Sequence, residues 1–262
     1  MKQVLTIVKI GGNVIDDAEE SSRFLAAFAT LFGYKVLVHG GGKLATDLAD
    51  KMGLPTHMIN GRRITDKSTL DIATMVYAGL VNKRFVAALQ AGGCNALGLT
   101  GADAGCILAR KREVLDIDYG FVGDIEKVDA TRFTEFILQG LVPVLAPLTY
   151  NQEGSLLNTN ADTMASALAV ALAEAFDVSL LYCFEKKGVL ADPTQDASVI
   201  PFISEVEYAQ LKQDGTVSKG MIPKMDNAFD ALRKGVDKVI ICHASDLNAH
   251  PTTESFGTLL SL

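Results

Sequence analysis

"KVLVHGGGK", residues 35–43, is an apolar, β-branched run that ends at a histidine, three glycines and a lysine. The run has the continuous hydrophobicity of a strand buried on both faces, and residues 43–52 after it take helical spacing and close at Gly53. A strand that turns through glycines into a helix is a βα unit, and such units build a mostly parallel sheet. The same text stands upstream, where VLTIVKI (4–10) reads as the first core strand, GGN follows it, and 18–32 reads as a helix closed by Gly33.

The alternation continues downstream. Helical patterns over 67–79 and 81–91 stop at Gly92 and Gly93 and lead into the strand NALGL. Residues 107–128 differ, because alternating apolar positions broken by turn signals predict antiparallel hairpins, a β-hairpin flap. Helix 130–139, strand LVPVLAP, helix 161–175 and strand VSLLYCF follow. A helix entered through a capping box at Ser204 and Glu207, helix 223–234, strand KVIICH and a final GTLL complete the order. The expected fold is α/β, a three-layer αβα arrangement around a mostly parallel central sheet, with two lobes, 1–176 and 177–262, sharing that sheet.

At 262 residues, 48% hydrophobic and 21% charged, the composition is that of an ordinary globular protein. The net charge of -7 argues against nucleic acid as a partner, since that surface needs clustered basic residues, but it permits a locally basic pocket for a small anion. No apolar run reaches the length of a bilayer span and no signal-peptide pattern opens the chain, so a cytoplasmic protein without a membrane partner is expected. Cys94, Cys106, Cys183 and Cys242 are far apart in sequence and form no C-x-x-C pair, which predicts buried free thiols.

In open α/β sheets ligands collect at the carboxyl ends of strands. That rule places KIGGN (9–13), HGGGK (39–43), TGAD (100–103), NTNAD (158–162), FEKKG (184–188) and SKGMIPK (218–224) along one rim. Glycines let backbone N–H groups approach an anion, yet neither cluster fits a Walker loop or a dinucleotide fingerprint. Structural corner and anion cradle both stay open on that pattern alone. Lys9 is different, because a lysine in a buried strand calls for an anionic partner. His39 reads as a structural residue, and no Ser-His-Asp or H-E-x-x-H arrangement exists to support a hydrolase or a zinc enzyme.

Taken in order, VKIGGN (8–13), VLVHGGGK (36–43), NGRRIT (60–65), GLVNK (79–83), FVGDIEKVD (121–129), LNTNADTMASALA (157–169) and KGMIPKM (219–225) resemble the amino acid kinase family over almost the whole chain. Within it the likeness is to the branch that acts on N-acetylglutamate. The resemblance implies the amino acid kinase fold and transfer of the γ-phosphoryl group of ATP to the γ-carboxylate of N-acetyl-L-glutamate, the second step of arginine biosynthesis. Alternatives are N-succinyl-L-glutamate as acceptor, a carbamate or aspartate type of kinase, or a catalytically silent sensor of N-acylamino acids. A carboxylate of pKa ~4.3 is already ionised at neutral pH, so the reaction needs no general base.

Residue by residue, the resemblance implies that Lys9 and Lys224 stabilise the transition state and that Asp162 holds them. Gly11 and Gly12 would cradle the phosphoryl group, Gly41 and Gly42 the attacking carboxylate, Arg63 the α-carboxylate, with Asn158 and Asn160 on the amino acid portion. Nucleotide contacts would come from Glu185, Lys187, Gly188, Val189, Leu190, Thr216, Val217 and Ser218, where Glu185-Lys186-Lys187 departs from the family's aspartate-centred motif. ATP would bring Mg²⁺ on its own phosphates, with no protein metal ligands. The N-lobe would bind the acylglutamate and dimerise, and the C-lobe would bind ATP. A homodimer is expected, and because arginine-inhibited members carry an extra N-terminal helix, arginine feedback is expected to be absent.

Overall fold

The computed structural model describes residues 2–59, 62–192, 194–217, 221–249 and 256–262. Its strands are β1 (Gln3–Ile10), β2 (Tyr34–His39), β3 (Met58–Ile59), β4 (Arg62–Arg63), β5 (Ala96–Leu99), β6 (Ile107–Lys111), β7 (Gly123–Val128), β8 (Val142–Leu145), β9 (Leu148–Tyr150), β10 (Leu156–Asn158), β11 (Phe176–Phe184), β12 (Phe202–Ser204), β13 (Lys238–His243) and β14 (Thr258–Ser261). The helices are α1 (Asn13–Asp16), α2 (Ala18–Thr30), α3 (Gly42–Lys51), α4 (Lys67–Ala73), α5 (Asn82–Ala91), α6 (Ala130–Leu138), α7 (Ala161–Leu172), α8 (Glu205–Gln213) and α9 (Ile222–Arg233).

The main sheet has the order β12-β14-β13-β11-β1-β2-β8-β5, and its neighbours are parallel except for β13 and β14. β1 lies inside it with every residue from Leu5 to Ile10 buried, and successive side chains point to opposite faces. Leu5 and Ile7 join α7 and α9 in one core layer, while Val8 and Ile10 join α2, α3 and α5 in the other. Lys9 therefore projects toward the α7 side.

From β1 the chain returns through α1 and α2 to β2, and α7 later leads into β11 on the opposite flank of β1. Strand order reverses between β1 and β11, the place where open sheets bind ligands. β11 begins at the expected lobe boundary and pairs with β1 along its whole length, so one sheet passes through that boundary.

The helix expected over 18–32 forms: the Asp17 carboxylate accepts from the N–H groups of Glu19 and Glu20 at 2.9 Å and starts α2 at Ala18. Two local readings need correction. The two helices expected over 67–91 are one continuous helix, because a π-helical segment, Thr74–Val81, bridges α4 and α5 instead of a break. Joined in this way, Lys67–Ala91 is long and apolar enough, by length and composition alone, to cross a bilayer. Its apolar side, including Leu70, Val76, Val81, Phe85 and Leu89, is packed in the core of this chain. Second, the flap is more than a hairpin: β6 and β7 pair antiparallel but belong to a second sheet of order β10-β9-β6-β7. All four cysteines are buried and free, as expected, and Cys183 and Cys242, distant in sequence, are register partners on β11 and β13 with sulfurs 3.5 Å apart.

Candidate active site

Two lysines and one carboxylate meet at the switch point. Lys9, near the end of β1, places Nζ 2.7 Å from Asp162 Oδ1, and Lys224, in the first turn of α9, places Nζ 2.9 Å from Oδ2. Asp162 stands in the first turn of α7, where the helix dipole favours a negative charge. Burial opposes its ionisation, but the ammonium groups of Lys9 and Lys224 outweigh it and hold the carboxyl far below the usual carboxylate range. For Lys224, burial comes first and repulsion from Lys9 second in lowering the pKa, and Asp162 draws it back only in part. The trio thus carries a net positive charge in a site where both lysine side chains are only 11% exposed. An anion entering it meets that charge with little solvent screening.

Aromatic residues complete the wall. Tyr182 is the register partner of Lys9 on β11, its hydroxyl donates to the Asp162 carbonyl at 3.2 Å, and the Lys224 ammonium lies 4.9 Å from its ring centroid and 5.7 Å from that of Phe184. Burial and the Asp162 charge push the phenol well above its ordinary value, so it stays a neutral donor. Sequence reasoning missed Tyr182. The available signal was a polar-tipped aromatic inside an otherwise apolar buried strand.

The glycine corners flank the trio. A Cβ on Gly11 would lie 2.5 Å from Lys9 Nζ, so only glycine leaves the ammonium room there, and Gly12 lies against the Glu185 carboxylate. Gly41 has φ +144, and a Cβ on it would meet the Tyr77 ring at 3.0 Å. The π segment is what brings Tyr77 to that position. Gly42 opens α3, and its carbonyl and Thr46 Oγ1 each accept from Arg63 Nη2 at 2.8 Å, with Thr56 Oγ1 at 3.4 Å from Nη1. Arg63 has five N–H donors, so two remain for a ligand.

A cleft of about 210 Å³ joins Gly40, Gly41 and Gly42 to Arg62, Arg63, Tyr77, Arg112, Val122, Asn158 and Asn160. Asn158 donates to Thr65 Oγ1 at 3.0 Å. Asn160 is the N-cap of α7, accepting from the Thr163 N–H at 3.0 Å, so its carbonyl is already engaged. A second cavity of about 360 Å³ is lined by Lys224 together with Glu185, Gly188, Val189, Leu190, Thr216 and Val217. Lys187 is exposed and is not among the residues lining that cavity, whereas its neighbour Lys186 lines it and pairs with Asp196. Ser218 falls outside the described residues. Lys43, the lysine of the opening motif, is turned outward, 4.0 Å from Asp16 and 61% exposed.

His39 is a brace. Fully buried, its ring donates from Nδ1 to the Gly40 carbonyl at 2.7 Å and accepts at Nε2 from Asn82 at 3.1 Å, fixing the strand end before the glycines. Burial is the main cause that lowers its pKa to about 4, with Lys83 adding to it. The unfolded chain therefore takes up the proton first as pH falls from about 6.5. Stability that is complete above that value is lost on the way to pH 4, by about 3 kcal/mol in all. The His39 ring protons are expected to titrate near pH 4 in NMR spectra of the folded protein; a midpoint near 6.5 would contradict the buried neutral ring.

No group of three or more His, Cys, Asp or Glu side chains that could hold a metal is present among the described residues. Asp162, the carboxylate between the lysines, has each oxygen within ion-pair distance of one ammonium group.

Comparison with known proteins shows the family. The model of the amino acid kinase family matches residues 4–243. Acetylglutamate kinase of Phocaeicola vulgatus is 53% identical over 260 residues, 99% of each chain. That of Cytophaga hutchinsonii is 54% identical over 246 residues, 94% of this chain and 93% of its own. Among solved structures, carbamate kinase from Giardia lamblia bound to AMP-PNP shares the fold with a TM-score of 0.70 at 15% identity, covering 99% of this chain and 98% of that one. With the family model spanning nearly the whole length and these relatives aligned from end to end, the chain belongs to the amino acid kinase family.

Proposed function

We propose that the protein transfers the γ-phosphoryl group of ATP to the γ-carboxylate of an N-acylated glutamate, giving an acyl phosphate and ADP. The observation that carries this reading is the Lys9–Asp162–Lys224 trio, together with a cleft walled by Gly40, Gly41 and Gly42 and a second cavity that Lys224 itself lines. The relatives named acetylglutamate kinase make N-acetyl-L-glutamate the first acceptor to test.

The chemistry follows from charge. The acceptor carboxylate is ionised and attacks the γ-phosphorus directly, forming one O–P bond as the bond to the β-phosphate oxygen breaks. Bringing two anions together is the main obstacle, and the loose transition state is stabilised by preorganised positive groups. Lys9 and Lys224 supply them, and Asp162 keeps their ammonium groups from separating. Backbone N–H groups of Gly11 and Gly12 face the phosphoryl group, those of Gly41 and Gly42 the acceptor, and Arg63 with Asn158 takes the α-carboxylate and its neighbours. His39 has no proton to take. Glu185, Gly188, Val189, Leu190, Thr216 and Val217 would wall the nucleotide, with Ser218 continuing that segment.

Mg²⁺ would be held by phosphate oxygens and lower the charge the lysines must offset. In the same proposal residues 1–176 serve the acceptor and 177–262 the nucleotide, in line with the residues lining each cavity. Met75 and Leu80, 50% and 38% exposed on the long helix, offer apolar surface for a homodimer. The names of the relatives support a place in arginine biosynthesis.

An assay in which hydroxylamine traps the acyl phosphate as a hydroxamate tests the reading. Turnover is expected with N-acylglutamates and not with free glutamate, aspartate or carbamate. Equal or better turnover of an unacylated acceptor would reject it.

A further inference from the structure

Lys224 is short of counter-charge. Its side chain is nearly buried beside the like charge of Lys9, and Asp162, the carboxylate between them, offers each ammonium a single oxygen. Removal from water and a neighbouring cation both favour the neutral amine, and for Lys224 these effects outweigh the pull of Asp162 and of the more exposed Glu185. Asp226, on the next turn of α9, is taken up by the Tyr208 hydroxyl at 2.6 Å and by Lys212 at 2.8 Å. With no anion bound, the site is therefore disposed to lose the proton on which its second positive charge depends.

Two rings of β11 oppose that loss. The Lys224 ammonium lies 4.9 Å from the Tyr182 ring centroid and 5.7 Å from that of Phe184, both within the range at which a ring face attracts a cation. The two residues are two positions apart on one strand and so share a face, the one on which Lys9 stands as the register partner of Tyr182. Tyr182 is fully buried in the core layer of α7 and α9, and its hydroxyl on the Asp162 carbonyl, at 3.2 Å, fixes the ring against the same turn that carries the carboxylate. One tyrosine thus touches both halves of the Asp162–Lys224 pair.

A ring stabilises a cation without cancelling its charge. A further carboxylate in the same place would also keep Lys224 protonated, but it would repel the phosphoryl group and compete for the ammonium. Resting on the kinase reading above for its purpose, we propose that Tyr182 and Phe184 are positioning residues that hold the Lys224 ammonium charged and in place in the empty site, ready for the transferring phosphoryl group.

The test compares pH profiles of kcat/KM for N-acetyl-L-glutamate at saturating ATP in the wild type and four variants. The rings favour the protonated amine, so their removal lets the proton leave at lower pH. In Tyr182→Leu and Phe184→Leu the alkaline limb is expected to move down by about 0.5 to 1 pH unit, the scale of one desolvated cation–ring contact. Tyr182→Phe and Phe184→Tyr keep the rings and should leave the limb where the wild type has it. Phe184 is only partly buried, so Phe184→Leu carries the test if Tyr182→Leu does not fold. Loss of packing alone would lower the rate at every pH and leave the limb in place. That outcome in the leucine variants, or a limb moved as far by the ring-keeping variants, overturns the inference. Carbon NMR of the Lys224 Cε, assigned by the loss of its signal in Lys224→Met, follows the same proton without turnover, and an unmoved midpoint in the leucine variants overturns the inference by itself. A wild type that transfers no phosphoryl group to an acylglutamate overturns the kinase reading alone, and the carbon titration then decides whether the rings hold the charge.

Discussion

Asp162→Ala is expected to abolish measurable turnover and to destabilise the fold by about 3–5 kcal/mol, the usual consequence of stranding buried charge. Asp162 is the shared partner of Lys9 and Lys224, at 2.7 and 2.9 Å, and without it two ammonium groups face each other in a site where each side chain is 11% exposed. They would then separate or lose a proton, and either outcome removes the positive pair from the phosphoryl path. Urea denaturation and the hydroxamate assay read the two effects separately. In the unaltered protein the sign with pH follows from the lowered pKa of Asp162. Its contribution is complete above the unfolded carboxylate value of about 3.9 and declines as pH falls below it toward the lower folded value. Wild-type stability in the Ala variant, or turnover within about 10-fold of normal, would contradict the shared-counterion role.

Lys224→Met should separate chemistry from folding. Methionine keeps the length and apolar stem that pack against Tyr182 and Phe184, and the Lys9–Asp162 pair survives. Burial and the neighbouring Lys9 already oppose the charge on Lys224, so thermal stability is expected to hold or rise slightly. Turnover is expected to fall by about 10²–10³-fold, the scale seen when one preorganised donor to a transition state is removed. If the loss is in kcat, with little change in KM for the acceptor, the ammonium acts on the transition state. A variant that keeps its kcat and loses only acceptor affinity would reassign Lys224 to substrate binding.

Much of this arrangement was legible locally. Lys9 was conspicuous because a lysine in an apolar strand is costly without an anion, and one was found at 2.7 Å. The capping box at Ser204 and Glu207 forms as read, with both reciprocal hydrogen bonds, since both partners lie within one helical turn. The histidine before the glycines was read as structural, and its ring spans Gly40 and Asn82. The resemblance supplied Asp162 and Lys224 as partners. Periodicity could not have done so, because the two are separated by 62 positions.

Other features had no local signal. The π segment inserts Tyr77 against Gly41 inside a stretch whose spacing suggested a helix break near Gly79. The strands β9 and β10 are three residues each, too short for alternation to declare them, yet they set Asn158 beside the flap. Tyr182 read only as part of an apolar run.

By itself the sequence determined the alternation of the long core strands with helices and the glycine corners, because each depends on residues within a few positions of one another. Tertiary structure alone decided that Lys9, Tyr182 and Asp162 share one face, that Lys224 joins them and that Lys43 does not, and that Arg112 reaches the acceptor cleft. Those outcomes depend on strand register and on which helix crosses which end of the sheet. They are settled when the two core layers pack, since a register one residue different would turn Lys9 away from α7 and leave its charge buried without a partner.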